Sequence, residues 1–175
     1  VRGIHMRVPR IFIFDIIDTN DAYILNRDQS HYLKNVLRLK TSMKVRLFNG
    51  SGYEYLGIIN KISKNSVNVA VLSREKKNNE SPLKVNLIIA ISRASKFDYL
   101  IQKLTELGVS SITPIQSERS EIKIRSKDQS KKIEHWEKIA ISACQQCERD
   151  GPPKINWIGN FSSTVTTRSE NAKFM

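Results

Sequence analysis

The chain has 175 residues, room for one medium or two small domains, and its 39% apolar content is enough for a packed core. The longest apolar run near the start, Ile11–Phe14, is broken by Asp15, so no secretory leader or membrane span is expected and the reading is a cytoplasmic protein without membrane contact. The formal charge is +12, with 14 Lys/Arg against 7 Asp/Glu in residues 1–80 and 15 against 10 in residues 81–175, so both halves suit a polyanion such as nucleic acid. The plainer explanation of the lysine excess is the drift of an A/T-biased genome.

Val1–His5 precede Met6, the expected start, and are left out of the fold reading. Val8–Phe14 has the composition of a strand. Asp28–Leu37 is the one helical stretch of the first half, with Leu33, Val36 and Leu37 on one face. Lys44–Phe48 and Tyr53–Asn60 flank the turn cluster Asn49–Gly52 and predict a hairpin. Val67, Val69 and Val71 alternate with polar residues, the pattern of a half-buried strand. Short strands with a single helix indicate a small β-barrel.

Arg74–Pro82 is charged, polar and ends in proline, and reads as a linker. Beyond it the pattern changes. Val85–Ile91 is apolar at nearly every position, as in a strand covered on both faces. Ser95 with Asp98 makes a capping box, predicting a helix start, and Phe97, Leu100, Ile101, Leu104 and Leu107 form its apolar face. Gly108 stands where a left-handed stop is wanted. Val109–Ile115 is a short strand closed by Pro114, and Gln116–Ser120 follows at its carboxyl end, where open α/β sheets bind ligands. A second helix is expected over about Asp128–Cys147, with Ile133, Trp136, Ala140, Ala143 and Cys147 on one face, ended by Gly151-Pro152-Pro153. Alternating strands and helices give a parallel or mostly parallel α/β sheet.

Arg7 and Arg10 flank Pro9 beside the first strand, either as phosphate contacts or as an ordinary solvated basic terminus. His31 and Arg38 are seven apart on one helix face and could both point at RNA, although a histidine beside Tyr32 also suits packing or capping. Cys144 and Cys147 have CxxC spacing, but His5, His31 and His135 supply no matching zinc ligands. The pair also sits at a helix end, where the dipole works against a thiolate, so two small apolar residues are the better reading and no metal is expected.

Several of these segments, in this order and spacing, resemble the bacterial RsmE family, which methylates N3 of a uridine in small-subunit ribosomal RNA. They are RVPRIFI (7–13), HYLKNVLR (31–38), LFNG (47–50), ESPLKVNL (80–87), Lys96 with IQKLTELGV (101–109), ITP (112–114) and SER (117–119), and KIAISACQQCER (138–149). The resemblance runs from about Met6 to Trp157. It implies an α/β fold class: a PUA-like RNA-binding barrel over residues 6–75, a linker at 76–82, and the N-terminal part of a SPOUT methyltransferase domain, an incomplete α/β knot, over 83–175. It implies S-adenosylmethionine as cofactor, ribosomal RNA and the small ribosomal subunit as partners, and a homodimer at full length. Arg119 and Arg149 are then the catalytic candidates, on the substrate side, where a cation would stabilise the uracil anion left when N3–H loses its proton. Arg7, Arg10, Arg38 and Lys96 are the RNA-binding candidates.

Three positions depart from the family pattern. Asn49 stands where an acidic residue is common, Glu148 stands where glycine is usual, and the chain ends at Met175, ahead of the family's GPEGG-type loop and LR-x-ETA segment. The segments that hold the cofactor are therefore expected to be absent, and this chain by itself is expected to bind no cofactor and transfer no methyl group. The competing reading is a non-catalytic RNA-binding protein, or a truncated copy of the enzyme.

Overall fold

The structure is a computed structural model that describes residues 8–15, 17–19, 21–77, 79–117 and 123–160. The chain divides into two compact units, one of Val1–Glu80 with Gln145–Gly151, the other of Ser81–Cys144 with Pro152–Met175. Residues 145–151, expected within 83–175, belong to the first unit because their backbone and side chains bond to Arg10, Phe12, Arg46, Asn79 and Glu80.

In the first unit β1 (Arg10–Phe12), β2 (Ala22–Ile24), β3 (Lys44–Phe48), β4 (Tyr53–Ile62) and β5 (Val67–Lys76) form one sheet in the order β1-β3-β4-β5-β2. β1 lies parallel to β3, and the other pairs are antiparallel. The expected hairpin is present, and Gly50 and Gly52 take φ of 79° and 78° in its turn. Two register shifts bend β4, at Leu56/Gly57 and Ile59/Lys61. Gly57 is required there, since a β-carbon would run into the Val69 side chain. The linker expected from Arg74 begins later, because Arg74, Glu75 and Lys76 still pair with Tyr55, Glu54 and Tyr53. β2 was not among the expected strands: its three residues, Ala22, Tyr23 and Ile24, are apolar but too few to show a strand periodicity.

The helix expected over Asp28–Leu37 is divided. α1 (Arg27–His31) starts at an Asn26 N-cap with a full capping box to Gln29, and then runs into a π-helical turn, Tyr32–Val36. The wider turn, closed by Leu37 N–H on Tyr32 O at 3.0 Å, rotates the apolar face. Leu33 is fully buried, whereas Val36, expected beside it, is 59% exposed. The core gathers Ile11, Ile13, Leu25, Leu33, Leu47 and Val69.

In the second unit β6 (Asn86–Ala90), β7 (Ser111–Gln116), β8 (Lys154–Ile155) and β9 (Gly159–Asn160) make an all-parallel sheet with β7 in the centre. α2 (Ala94–Glu106) connects β6 to β7, and α3 (Gln129–Cys147) connects β7 to β8. Pro114 does not close β7 but lies within it. β8 pairs residues 111–112 and β9 pairs 115–116, so the prolyl nitrogen stands at the break between two partners. β6 is covered on one face only. Leu87 and Ile89 pack into the core, while Asn86, Ile88 and Ala90 are exposed, contrary to the two-sided burial expected. Phe97 and Ile101 of α2 meet Trp136 and Ala140 of α3, with the Phe97 and Trp136 rings 4.8 Å apart. Leu100 and Leu104 pack against this core only in part, and Leu107, placed on the same face by its spacing, is 80% exposed at the helix cap.

Candidate functional site

Because the strands of the second unit are parallel, β6, β7 and β9 all finish at one edge, at Ala90, Gln116 and Asn160. Two loops leave from it. The first, Ile91–Arg93, leads into α2, where Arg93, Ala94, Ser95 and Lys96 are all exposed. The expected capping box does not form. Arg93 is the N-cap, Ser95 lies inside the helix, and no side chain caps the first turn. The Asp98 carboxylate is committed instead to α3, accepting from Trp136 Nε1 at 3.2 Å and meeting His135 Nε2 at 2.9 Å.

The second loop follows β7. Gln116 closes its base with a two-point clamp, donating from Nε2 to Ile124 O at 3.0 Å and accepting from Ile124 N–H at 3.1 Å. The side chain thus does what a neighbouring strand would do, and it fixes both ends of the segment that carries Arg119. Arg119 itself, like Arg7, lies outside the described residues. From sequence Gln116 is only the first residue of a polar loop, with no signal of the clamp.

The other candidates belong to the first unit. Arg10, expected at RNA phosphates, is buried. Its Nε meets Glu54 Oε1 at 2.5 Å, Nη2 donates to Arg149 O at 3.1 Å, and the guanidinium lies 4.1 Å from the centre of the Phe48 ring. A phosphate cannot reach it in this state, and the same carboxylate also holds Arg46 at 3.1 Å. Arg149, expected on the substrate side, is likewise 9% exposed and gives two hydrogen bonds to Glu80, at 3.1 and 2.8 Å. Both arginines are framework residues for one reason: a guanidinium out of water needs a carboxylate. A signal was available in the sequence, since Glu54 is the one acidic residue between Asp28 and Glu75. Beside this network burial, and then repulsion from Glu80, push the Asp150 carboxyl above its ordinary range.

Arg38 and Lys96 remain exposed. Arg38 follows the π-helical turn with φ of 53°, in the left-handed region. Glu148, at the corresponding place after α3, has φ of 64°. That conformation explains why glycine suits position 148. Asn49 also has a physical account, because its Nδ2 donates to Asp15 O at 3.0 Å, which a carboxylate could not do. Cys144 is buried and Cys147 half-buried.

Comparison with known proteins agrees with this architecture. Residues 79–175 match the family model of an RNA methyltransferase domain, and residues 25–72 match that of an RNA methyltransferase PUA domain. The ribosomal RNA small subunit methyltransferase E of Buchnera aphidicola from Acyrthosiphon pisum is 41% identical over 167 residues, 95% of this chain and 66% of the relative. The chain belongs to the RsmE family of RNA methyltransferases. The RsmE protein of Bacillus subtilis is 29% identical over 85% of this chain and 58% of its own length. Among solved structures, a Legionella pneumophila protein in complex with the bound cofactor SAM superposes with a TM-score of 0.91 at 32% identity, covering 97% of this chain and 70% of that one. The Neisseria gonorrhoeae RsmE bound to S-adenosyl methionine gives 0.88 at 28%, covering 93% and 67%. The first unit is thus PUA-like and the second has the SPOUT methyltransferase fold. The chain spans about three fifths to two thirds of the length of these RsmE relatives.

Proposed function

We propose that this protein methylates N3 of a uridine in small-subunit ribosomal RNA, with S-adenosylmethionine as the methyl donor. The observation that carries the reading is the fit, over 97% of the chain, to a protein solved with that cofactor bound. In this reading residues 6–75 are the RNA-binding module and 83–175 belong to the methyltransferase domain. The exposed Arg38 and Lys96 contact RNA, as does Arg7. Arg119, carried on the loop clamped by Gln116, faces the uracil, where a cation stabilises the N3 anion. Arg10 and Arg149 act at one remove, by holding the framework. The substrate is exposed or flipped uridine, the partners are the small subunit and a second copy of the protein, and the location is the cytoplasm.

One observation favours a second reading, RNA binding without catalysis. Neither loop after β6 or β7 contains a glycine that would let backbone approach an adenosyl group closely, so these loops do not fit the cofactor by themselves. Expression of the gene in a bacterium lacking its own enzyme separates the two. Return of N3-methyluridine to 16S RNA, read by mass spectrometry of nuclease fragments, is the outcome expected for an enzyme. RNA binding with the uridine left unmodified would establish the second reading instead.

A further inference from the structure

The first unit carries a small cleft between α1 with its π-helical turn, which holds the 31–38 motif, and the bend that joins β4 to β5. Its volume is about 130 Å³, and Arg27, His31, Lys34 and Lys64 line it together with Asn35 and Asn65. Its floor is braced. Ser30 Oγ donates to Leu25 O at 3.1 Å and accepts from Val67 N–H at 3.0 Å, tying α1 to β5. Lys34 Nζ donates to the carbonyls of Ser63 and Lys64, at 3.5 and 3.1 Å, which ties the same turn to the bend. An ammonium has three donors, so one remains. Among the described residues neither Arg27, Lys34 nor Lys64 pairs with a carboxylate. The acidic residue of α1, Asp28, is not part of the lining.

From this we infer that the cleft is a binding site for a single RNA phosphate, a contact that rests on the RNA-binding reading above and adds a seat to it. The size is wrong for a nucleoside or cofactor, which fill pockets of roughly 300 Å³ or more. The lining has no Phe, Tyr or Trp ring, and its one aromatic ring is the small imidazole of His31, so it offers no broad platform for a base. What it does have is converging cations and amide donors, the chemistry that binds a phosphodiester oxygen. The seat lies on the same segment as exposed Arg38, so one backbone could pass both.

The test is a titration of this chain with a short fluorescein-labelled RNA hairpin carrying a single-stranded loop, at several salt concentrations. Three variants accompany it: Arg27→Gln with Lys64→Gln, Lys64→Arg, and Lys76→Gln. Lys76 is exposed at the far end of the ten-residue β5, roughly 30 Å from the bend, and controls for overall charge. The double variant should bind about tenfold more weakly, with a log–log salt slope smaller by about one. Lys64→Arg should bind like the unaltered chain, and Lys76→Gln should change affinity by less than about twofold. Arg27 and Lys64 are exposed and brace nothing with their side chains, so thermal unfolding should be unchanged. If the unaltered chain binds and the double variant binds no worse than Lys76→Gln, the cleft is not the site while the RNA reading stands. If the unaltered chain shows no binding even at low salt, the RNA reading and the cleft fall together.

Discussion

Among the described residues Arg38, Ser42 and Glu148 hold left-handed backbone where glycine is at ease, and two of them, Arg38 and Glu148, each follow directly on a helical segment. A non-glycine residue there costs about 1–2 kcal/mol, and the two positions differ in what they return for it. At Glu148 the carboxylate is 44% exposed and its ion pair with Arg46, at 3.5 Å, is of the weak surface kind. Glu148→Gly should therefore stabilise the protein by about 0.5–1 kcal/mol, after the extra freedom of glycine in the unfolded chain is deducted. Urea unfolding would show it as a higher midpoint at unchanged slope. At Arg38 the same relief should come with a loss. Arg38→Gly should also raise the unfolding midpoint, yet weaken RNA binding severalfold by removing an exposed guanidinium. A variant that is stabilised and binds RNA unchanged would remove Arg38 from the interface.

At the scale of elements, the buried charges of the first unit lock β1, β3 and β4 to residues 145–151. Glu54 is shared by Arg10 and Arg46, with side chains 6%, 2% and 22% exposed. Glu54→Ala strands a buried guanidinium and should cost about 3–5 kcal/mol. The nearby Asp150 works the other way. Its folded pKa is raised, so between the unfolded and folded values the native state holds more protons, and stability falls as pH rises through that window. The penalty is complete above the folded value. Asp150→Asn should thus stabilise at neutral pH, with the advantage closing below about pH 4. An equal gain at every pH would assign the effect to something other than ionisation. In the second unit Ile101 is fully buried and Leu104 only partly. Ile101→Ala should cost about 2–5 kcal/mol, and Leu104→Ala clearly less, which paired melting curves would resolve.

Over the whole molecule the +12 charge sets the long-range behaviour. RNA affinity should fall steeply with salt, with each phosphate contact adding about 0.7–0.9 to the log–log slope. Of the six candidate side chains, Arg10 and Arg149 are internal, Arg38 and Lys96 are exposed, and Arg7 and Arg119 lie outside the described residues. The same substitution therefore reads differently by position. Lys96→Ala should weaken binding and flatten the salt slope without lowering the melting temperature, whereas Arg10→Ala should act through unfolding. Equal thermal stability of the Arg10 variant would contradict the buried pair.

Composition, periodicity and turn chemistry carried the local structure. The hairpin at Asn49–Gly52, the stop at Gly108 and the α2 and α3 cores were legible because each is encoded within a few neighbouring residues. The order of the quoted motifs was enough to indicate the RsmE family. Which arginines face solvent was not legible. Arg10 meets Glu54 across 44 positions, and Arg149 meets Glu80 across 69. The cleft needs α1 set beside a bend some thirty residues later. Asp98, which reads as a cap, was taken by Trp136 and His135 of another helix. Residue type and spacing specify elements because their hydrogen bonds and apolar faces are local. The partner of a charge is specified only when the packed chain brings distant carboxylates and cations together and excludes water from some of them and not from others.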